Sequence, residues 1–93
     1  MSAASTQERL VAIRNRNGLH ARPAAEFVKL ATRFRSEIAV RRDDLEVNGK
    51  SIMGMMMLAA EYGSAITIRA TGDDAPAALD ALAGLIAARF GED

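Results

Sequence analysis

The chain has no cysteine and no tryptophan. Disulfides and a thiolate metal site are therefore excluded. It has one histidine, too few for a histidine-built zinc site. No apolar run approaches the length of a membrane span, and the first residues hold no secretory apolar core. These absences lead us to expect a cytoplasmic protein with no metal, no cofactor and no membrane contact. Aromatic residues make up only 4% of the chain, without interleaved basic residues, and the net charge is zero. That argues against nucleic acid as a partner. Proline occurs only at positions 23 and 76, each in the first turn of an expected helix.

Hydrophobic residues make up 49% of the 93, enough for the core of one small domain over residues 1–93. Residues 1–6 are small and polar and are expected to fray. The zero net charge hides an asymmetry. Residues 1–42 carry nine Lys/Arg and three acids; residues 43–93 carry three and nine. Most of these charges suit a solvated surface. A basic face in the first half would also steer acidic partners or phosphate.

The pattern along the chain is read by period. Residues 8–14 alternate as a strand with Leu10, Ala12, Val11 and Ile13 competing for its buried side, which suits a central or covered strand. Asn17-Gly18 breaks the following loop. From Ala21 to about Phe34, Ala24, Phe27 or Val28, Ala31 and Phe34 recur at helical spacing. Residues 37–42 and 45–47 alternate around Asp43-Asp44 and read as a hairpin. Ser51 suits the N-cap of a short apolar helix to about Ala60. Its methionines exceed what one sheet can cover, so Ile52, Met53 and Met56 are expected to be partly exposed and adaptable. Residues 65–70 alternate again. Asp73 or Asp74 then caps a last helix with a stripe of Leu79, Leu82, Ile86 and Phe90, stopped by Gly91. The order β-α-β-β-α-β-α is an α+β arrangement.

The chemistry concentrates at Asn17-Gly18-Leu19-His20-Ala21-Arg22-Pro23-Ala24. His20 stands at a helix start, where the first amides lack acceptors and the dipole favours negative charge. Such a place suits phosphate. A neutral imidazole keeps one nitrogen free to attack, and the nearby Arg22 offers a planar fork for phosphoryl oxygens. A lone histidine at a helix start is often only a cap or a surface residue. The motif as a unit outweighs that reading.

Gly-Leu-His-Ala-Arg-Pro-Ala resembles the active-site motif of HPr, the histidine-containing phosphocarrier family of the bacterial sugar phosphotransferase system. Lys50-Ser51-Ile52-Met53-Gly54, with its serine 31 residues after His20, resembles the family's regulatory segment. The resemblance implies an open-faced β-sandwich, with a four-stranded antiparallel sheet covered on one face by three helices. It implies that His20 accepts a phosphoryl group on Nδ1 from Enzyme I, charged by phosphoenolpyruvate, and passes it to EIIA-type domains. Arg22 would stabilise the phosphate, and Ser51 would be phosphorylated by HPr kinase/phosphorylase. Asn17, Ile52, Met53 and Met56 would meet partners, and the chain would act as a monomer and relay more than as a standalone catalyst. An alternative is a paralogue in a nitrogen-type regulatory chain, a signalling module without sugar transport. His20, Arg22 and Ser51 would serve either, and gene neighbourhood would separate them.

Overall fold

The computed structural model describes residues 5–92. The elements run β1 (Thr6–Ala12), α1 (Ala21–Ala31), β2 (Glu37–Arg42), β3 (Leu45–Asn48), α2 (Ile52–Met57), β4 (Ala65–Thr71) and α3 (Ala75–Ala87), then a 3-10 turn (Arg89–Gly91). The four strands form one antiparallel sheet in the order β1-β4-β2-β3. This is the open-faced α+β arrangement expected. The frayed end falls for residues 1–4 outside the described residues. At Thr6 the sheet has already begun, paired with Thr71.

Strict alternation decides the faces of the inner strands. Ile38 and Val40 of β2, and Ile66, Ile68 and Ala70 of β4, turn inward and are buried. The helices supply Ala24, Phe27 and Ala31 from α1, Met55 from α2, and Ala75, Ala78, Leu79, Leu82 and Ile86 from α3. Together they form one apolar cluster.

β1 corrects the sequence reading. It is an edge strand, not a central one. Leu10 lies 70% exposed, while Val11 and Ile13 turn to the core. Four consecutive apolar residues cannot reveal which parity wins; pairing of Val11 with Ile66 decides it. Arg9 reaches α3 with an ion pair to Asp80 at 2.8 Å.

The helix ends also differ from the periodicity. α1 stops at Ala31 and α2 at Met57. In the turn after α1, Thr32 Oγ1 donates to the Lys29 carbonyl at 2.9 Å. After α2, Arg42 Nη1 donates to the carbonyls of Leu58 and Ala59. A guanidinium from β2 thus satisfies carbonyls that a longer helix would have paired internally. Asp74 occupies the N-cap of α3 but makes no side-chain cap bond. Its carboxylate instead accepts from the Arg35 and Ser36 amides, at 2.8 and 2.9 Å, and from the Ser36 hydroxyl. Those bonds, the Ser36 hydroxyl foremost, hold its carboxyl below the usual range. Asp74 therefore ties the α1–β2 connection to α3. Phe90, expected on the α3 stripe, is buried but lies in the 3-10 turn.

Gly18 is the position where backbone freedom matters most. Its φ is +68°, and a Cβ there would run into the Ala60 carbonyl oxygen. That oxygen accepts the Leu19 amide at 2.9 Å, which seats the loop before α1 on the α2–β4 connection. Gly18→Ala combines left-handed strain with a backbone clash. The expected loss is about 2 kcal/mol or more in urea unfolding. A loss near zero would mean that the loop moves aside without cost.

Candidate functional site

The loop before α1 is braced on both sides. Ile13 exchanges backbone bonds with Ser64 and Gly63, each at 2.8 Å. The Asn15 carbonyl accepts the Gly18 amide at 3.1 Å, and Asn15 Nδ2 donates to the Gly18 carbonyl at 2.7 Å. Pro23 and Ala24 are buried and pin the first turn of α1. His20 is the N-cap, with extended backbone and no side-chain cap bond. Its ring therefore projects from the rigid end of the helix, 42% exposed. Ala21 and Arg22 carry first-turn amides without helical acceptors, and Pro23 has no amide to offer.

The C-terminal segment completes the site. Arg89, Phe90 and Gly91 all have positive φ, at +58°, +54° and +75°. This left-handed run seats the Phe90 ring in the core and turns the chain back toward α1. Arg22 donates to the Phe90 carbonyl at 3.0 Å. The Glu92 carboxylate then meets three side chains from the other end of the sequence. Arg22 donates to Oε2 through Nη2 at 2.6 Å and Nε at 3.1 Å. Asn15 Nδ2 donates to Oε1 at 2.7 Å. His20 Nε2 lies 3.1 Å from the same Oε1. The Arg22 guanidinium first, then Asn15 and His20, hold the Glu92 carboxyl down to about 2 against partial burial.

A carboxylate can only accept, so Nε2 carries the proton in this pairing. In the neutral ring Nδ1 then holds the free lone pair, and it has no hydrogen-bond partner among the described residues. The result is an oriented imidazole whose Nδ1 is not engaged by any described side chain.

Lowering of the Glu92 pKa makes the tail clamp depend on pH. A depressed carboxylate stabilises the fold fully above its unfolded value and loses that support as pH falls through the folded one. The clamp's contribution to stability is therefore expected to be complete above pH 4.5 and to be lost between 4.5 and about 2, while the folded carboxylate itself titrates near the lower value. NMR titration of the Glu92 carboxyl carbon checks this. A midpoint at the ordinary 4.5 would show that the clamp does not form.

His20 and Arg22 both meet the Glu92 carboxylate. Asn17 is exposed in the same loop, with no side-chain hydrogen bond among the described residues. Ser51 caps α2, its hydroxyl accepting from the Gly54 amide at 3.0 Å. Ile52, Met53 and Met56 are exposed, as is Met57, and Met55 alone of the run is fully buried. α2 packs against α1. Sequence reasoning missed Asn15 and Glu92. Asn15 is fully buried between two exposed arginines, and only its place beside the motif was a signal. Its Oδ1 has no partner among the described residues, while Nδ2 donates to two acceptors. Glu92 lies 72 residues from His20 and carried no signal. Among the described residues, no three His, Cys, Asp or Glu side chains gather as a metal site, and no helix is long and apolar enough to cross a membrane.

A small open-faced α+β domain that holds a histidine ring at a helix start, with a guanidinium beside it, has the parts a phosphoryl carrier needs. Residues 7–88 match the family described as the phosphotransferase-system HPr component phosphorylation site. The chain belongs to the HPr family. It is 48% identical over 85 residues to the phosphocarrier protein HPr of Cupriavidus necator, covering 91% of this chain and 96% of that one. It is also 48% identical, over 79 residues, to the HPr-like protein Crh of Halalkalibacterium halodurans, covering 85% and 94%. The crystal structure of HPr from Thermoanaerobacter tengcongensis superposes with a TM-score of 0.90 at 47% identity, covering 94% and 98%.

Proposed function

We propose that this chain is a cytoplasmic relay, working as a single copy, that accepts a phosphoryl group on His20 and passes it on. The donor in this reading is phospho-Enzyme I, charged by phosphoenolpyruvate, and the acceptors are EIIA-type domains. The observation that carries it is the pairing of His20 Nε2 with Glu92, which leaves Nδ1 as the nucleophile. Nδ1 donates its lone pair to phosphorus, and the bond from phosphorus to the donor nitrogen breaks. The ring gains positive charge, which a carboxylate on Nε2–H offsets. Arg22 exchanges Glu92 Oε2 for phosphoryl oxygens, to which its planar fork is equally matched. The exposed site leaves the phosphorus open to the next protein's nucleophile.

The same family membership supports Ser51 as a regulatory phosphorylation site for HPr kinase/phosphorylase. Ile52, Met53 and Met56 beside it form an exposed apolar surface for partner contact, and Asn17 lies on the loop that carries His20. A phosphate on Ser51 would place about two negative charges at that surface. Ser51→Asp is expected to slow phosphorylation by Enzyme I about tenfold while leaving the fold intact, whereas Ser51→Ala costs about 1 kcal/mol of stability through the lost cap. Equal transfer rates for wild type and Ser51→Asp would remove the regulatory role.

The direct test of the carrier is labelled phosphoenolpyruvate, Enzyme I and the wild-type chain. An acid-labile, hydroxylamine-sensitive phosphate on the chain is the expected product. No transfer with a cognate Enzyme I would overturn the reading.

A further inference from the structure

A second cationic site lies on the other side of the loop that carries Asn15. Arg14 and Arg16 leave this loop on either side of the buried Asn15. Alternation sends both outward. Arg89 comes from the left-handed turn after α3, and Tyr62 from the turn before β4. These four residues line one open depression of about 520 Å³. Among the described residues, none of the three guanidiniums makes an ion pair or a side-chain hydrogen bond. Two nearby acids among the described residues leave them so. Glu92 is committed to Arg22, Asn15 and His20. Glu61 makes no ion pair among the described residues.

Three guanidiniums that line one depression, with no acid paired to them among the described residues, favour an anion there. Two features place them at it. The backbone of Ile13 is bonded to Gly63 and Ser64, which sets the Arg14 end of the loop beside Tyr62. Arg89 sits at φ +58°, a strained conformation that non-glycine residues adopt mainly where function or packing demands it. Tyr62 adds a flat aromatic face, 69% exposed, that makes no hydrogen bond among the described residues. Guanidinium forks match phosphate oxygens, and an exposed aromatic ring stacks on a planar heterocycle.

We propose that Arg14, Arg16, Arg89 and Tyr62 form a binding site for a small phosphate monoester that carries a planar ring, a mononucleotide. The arginines take the phosphate and Tyr62 takes the base. The site is separate from His20, although the Arg89–Gly91 turn that supplies Arg89 also delivers Glu92 to His20. Occupancy is thereby placed one turn from the carrier site.

The test is two-dimensional amide NMR of the full chain, titrated with adenosine monophosphate, ribose 5-phosphate and inorganic phosphate. Saturable shifts at residues 14–16, 62–63 and 89–90 are expected, strongest for adenosine monophosphate. Arg14→Gln and Arg16→Gln, both on exposed loop positions, should each weaken binding about tenfold, the worth of one charge-assisted bond. Tyr62→Ser should bring adenosine monophosphate down to ribose 5-phosphate. His20→Gln, which keeps the bond to Glu92 and so the Arg89–Gly91 turn, should leave all of these shifts in place, which separates this site from His20. Shifts confined to the surroundings of His20 and Arg22, or unchanged in the Arg14→Gln/Arg16→Gln chain, would overturn the proposal. Equal affinity for adenosine monophosphate and ribose 5-phosphate would overturn the nucleotide assignment.

Discussion

His20→Ala is expected to reduce phosphoryl transfer from Enzyme I to background. The chain has no second histidine to substitute for it. The loss should be chemical and not structural. The ring is 42% exposed and packs in no core, so its removal costs only one hydrogen bond to Glu92. Thermal stability should change by about 1 kcal/mol or less. His20→Gln sharpens the test. A glutamine amide can still donate to the Glu92 carboxylate, but it has no nucleophilic nitrogen. It should therefore keep the clamp and lose all transfer. Acid treatment separates the two phosphorylation chemistries. Phosphate on histidine is acid-labile, whereas phosphate placed on Ser51 by its kinase should survive acid and should persist in His20→Ala. Retention of acid-labile phosphate in His20→Ala would show that another side chain accepts it.

Phe27→Ala should produce the largest loss of stability. Phe27 is fully buried on α1 and is among the largest wholly enclosed side chains in the core. Truncating such a ring costs about 3–5 kcal/mol, from lost transfer energy and the cavity left behind. A small domain has roughly 5–15 kcal/mol in total. Most of the margin could therefore go with one side chain. The urea midpoint should fall sharply while the slope stays the same. Phe27→Leu, closer in volume, should cost about 1 kcal/mol. Val28→Ala provides the contrast, because Val28 is only partly buried at the edge of the cluster. It should lose well under half as much as Phe27→Ala. Comparable losses at both positions would mean that α1 turns a different face to the sheet.

Legibility followed the period of the pattern and the range of the contacts. The β2–β3 hairpin was readable because Ile38 and Val40 alternate cleanly with polar neighbours and Asp43-Asp44 punctuates them. Asp43 takes the positive φ, +55°, that such a turn uses. Ser51 was readable as a cap because its partner, the Gly54 amide, is three residues away. The Phe27 or Val28 ambiguity was not resolvable from spacing. The two lie adjacent on the helix, and only the sheet beneath selects one. Leu10 against Val11 is the same problem in a strand. Asp73 or Asp74 reads as a cap because caps are local, and Asp74 holds that position. Its actual acceptor work lies with Arg35 and Ser36, nearly forty residues earlier.

By itself the sequence determined the alternation of elements, the α+β class, the inward face of β2 and β4, and a histidine beside an arginine at a helix start. All of these rest on interactions within about four residues, where spacing alone carries the geometry. The tertiary structure decided which strand lies at the edge, which nitrogen of His20 is held, and that Glu92 and Asn15 belong to the site. It also brought Arg89 and Tyr62 to Arg14 and Arg16. Each of these depends on where the chain returns after α3 or β4. The return is set by the packing of the whole core around Phe27 and Phe90, which no local period records.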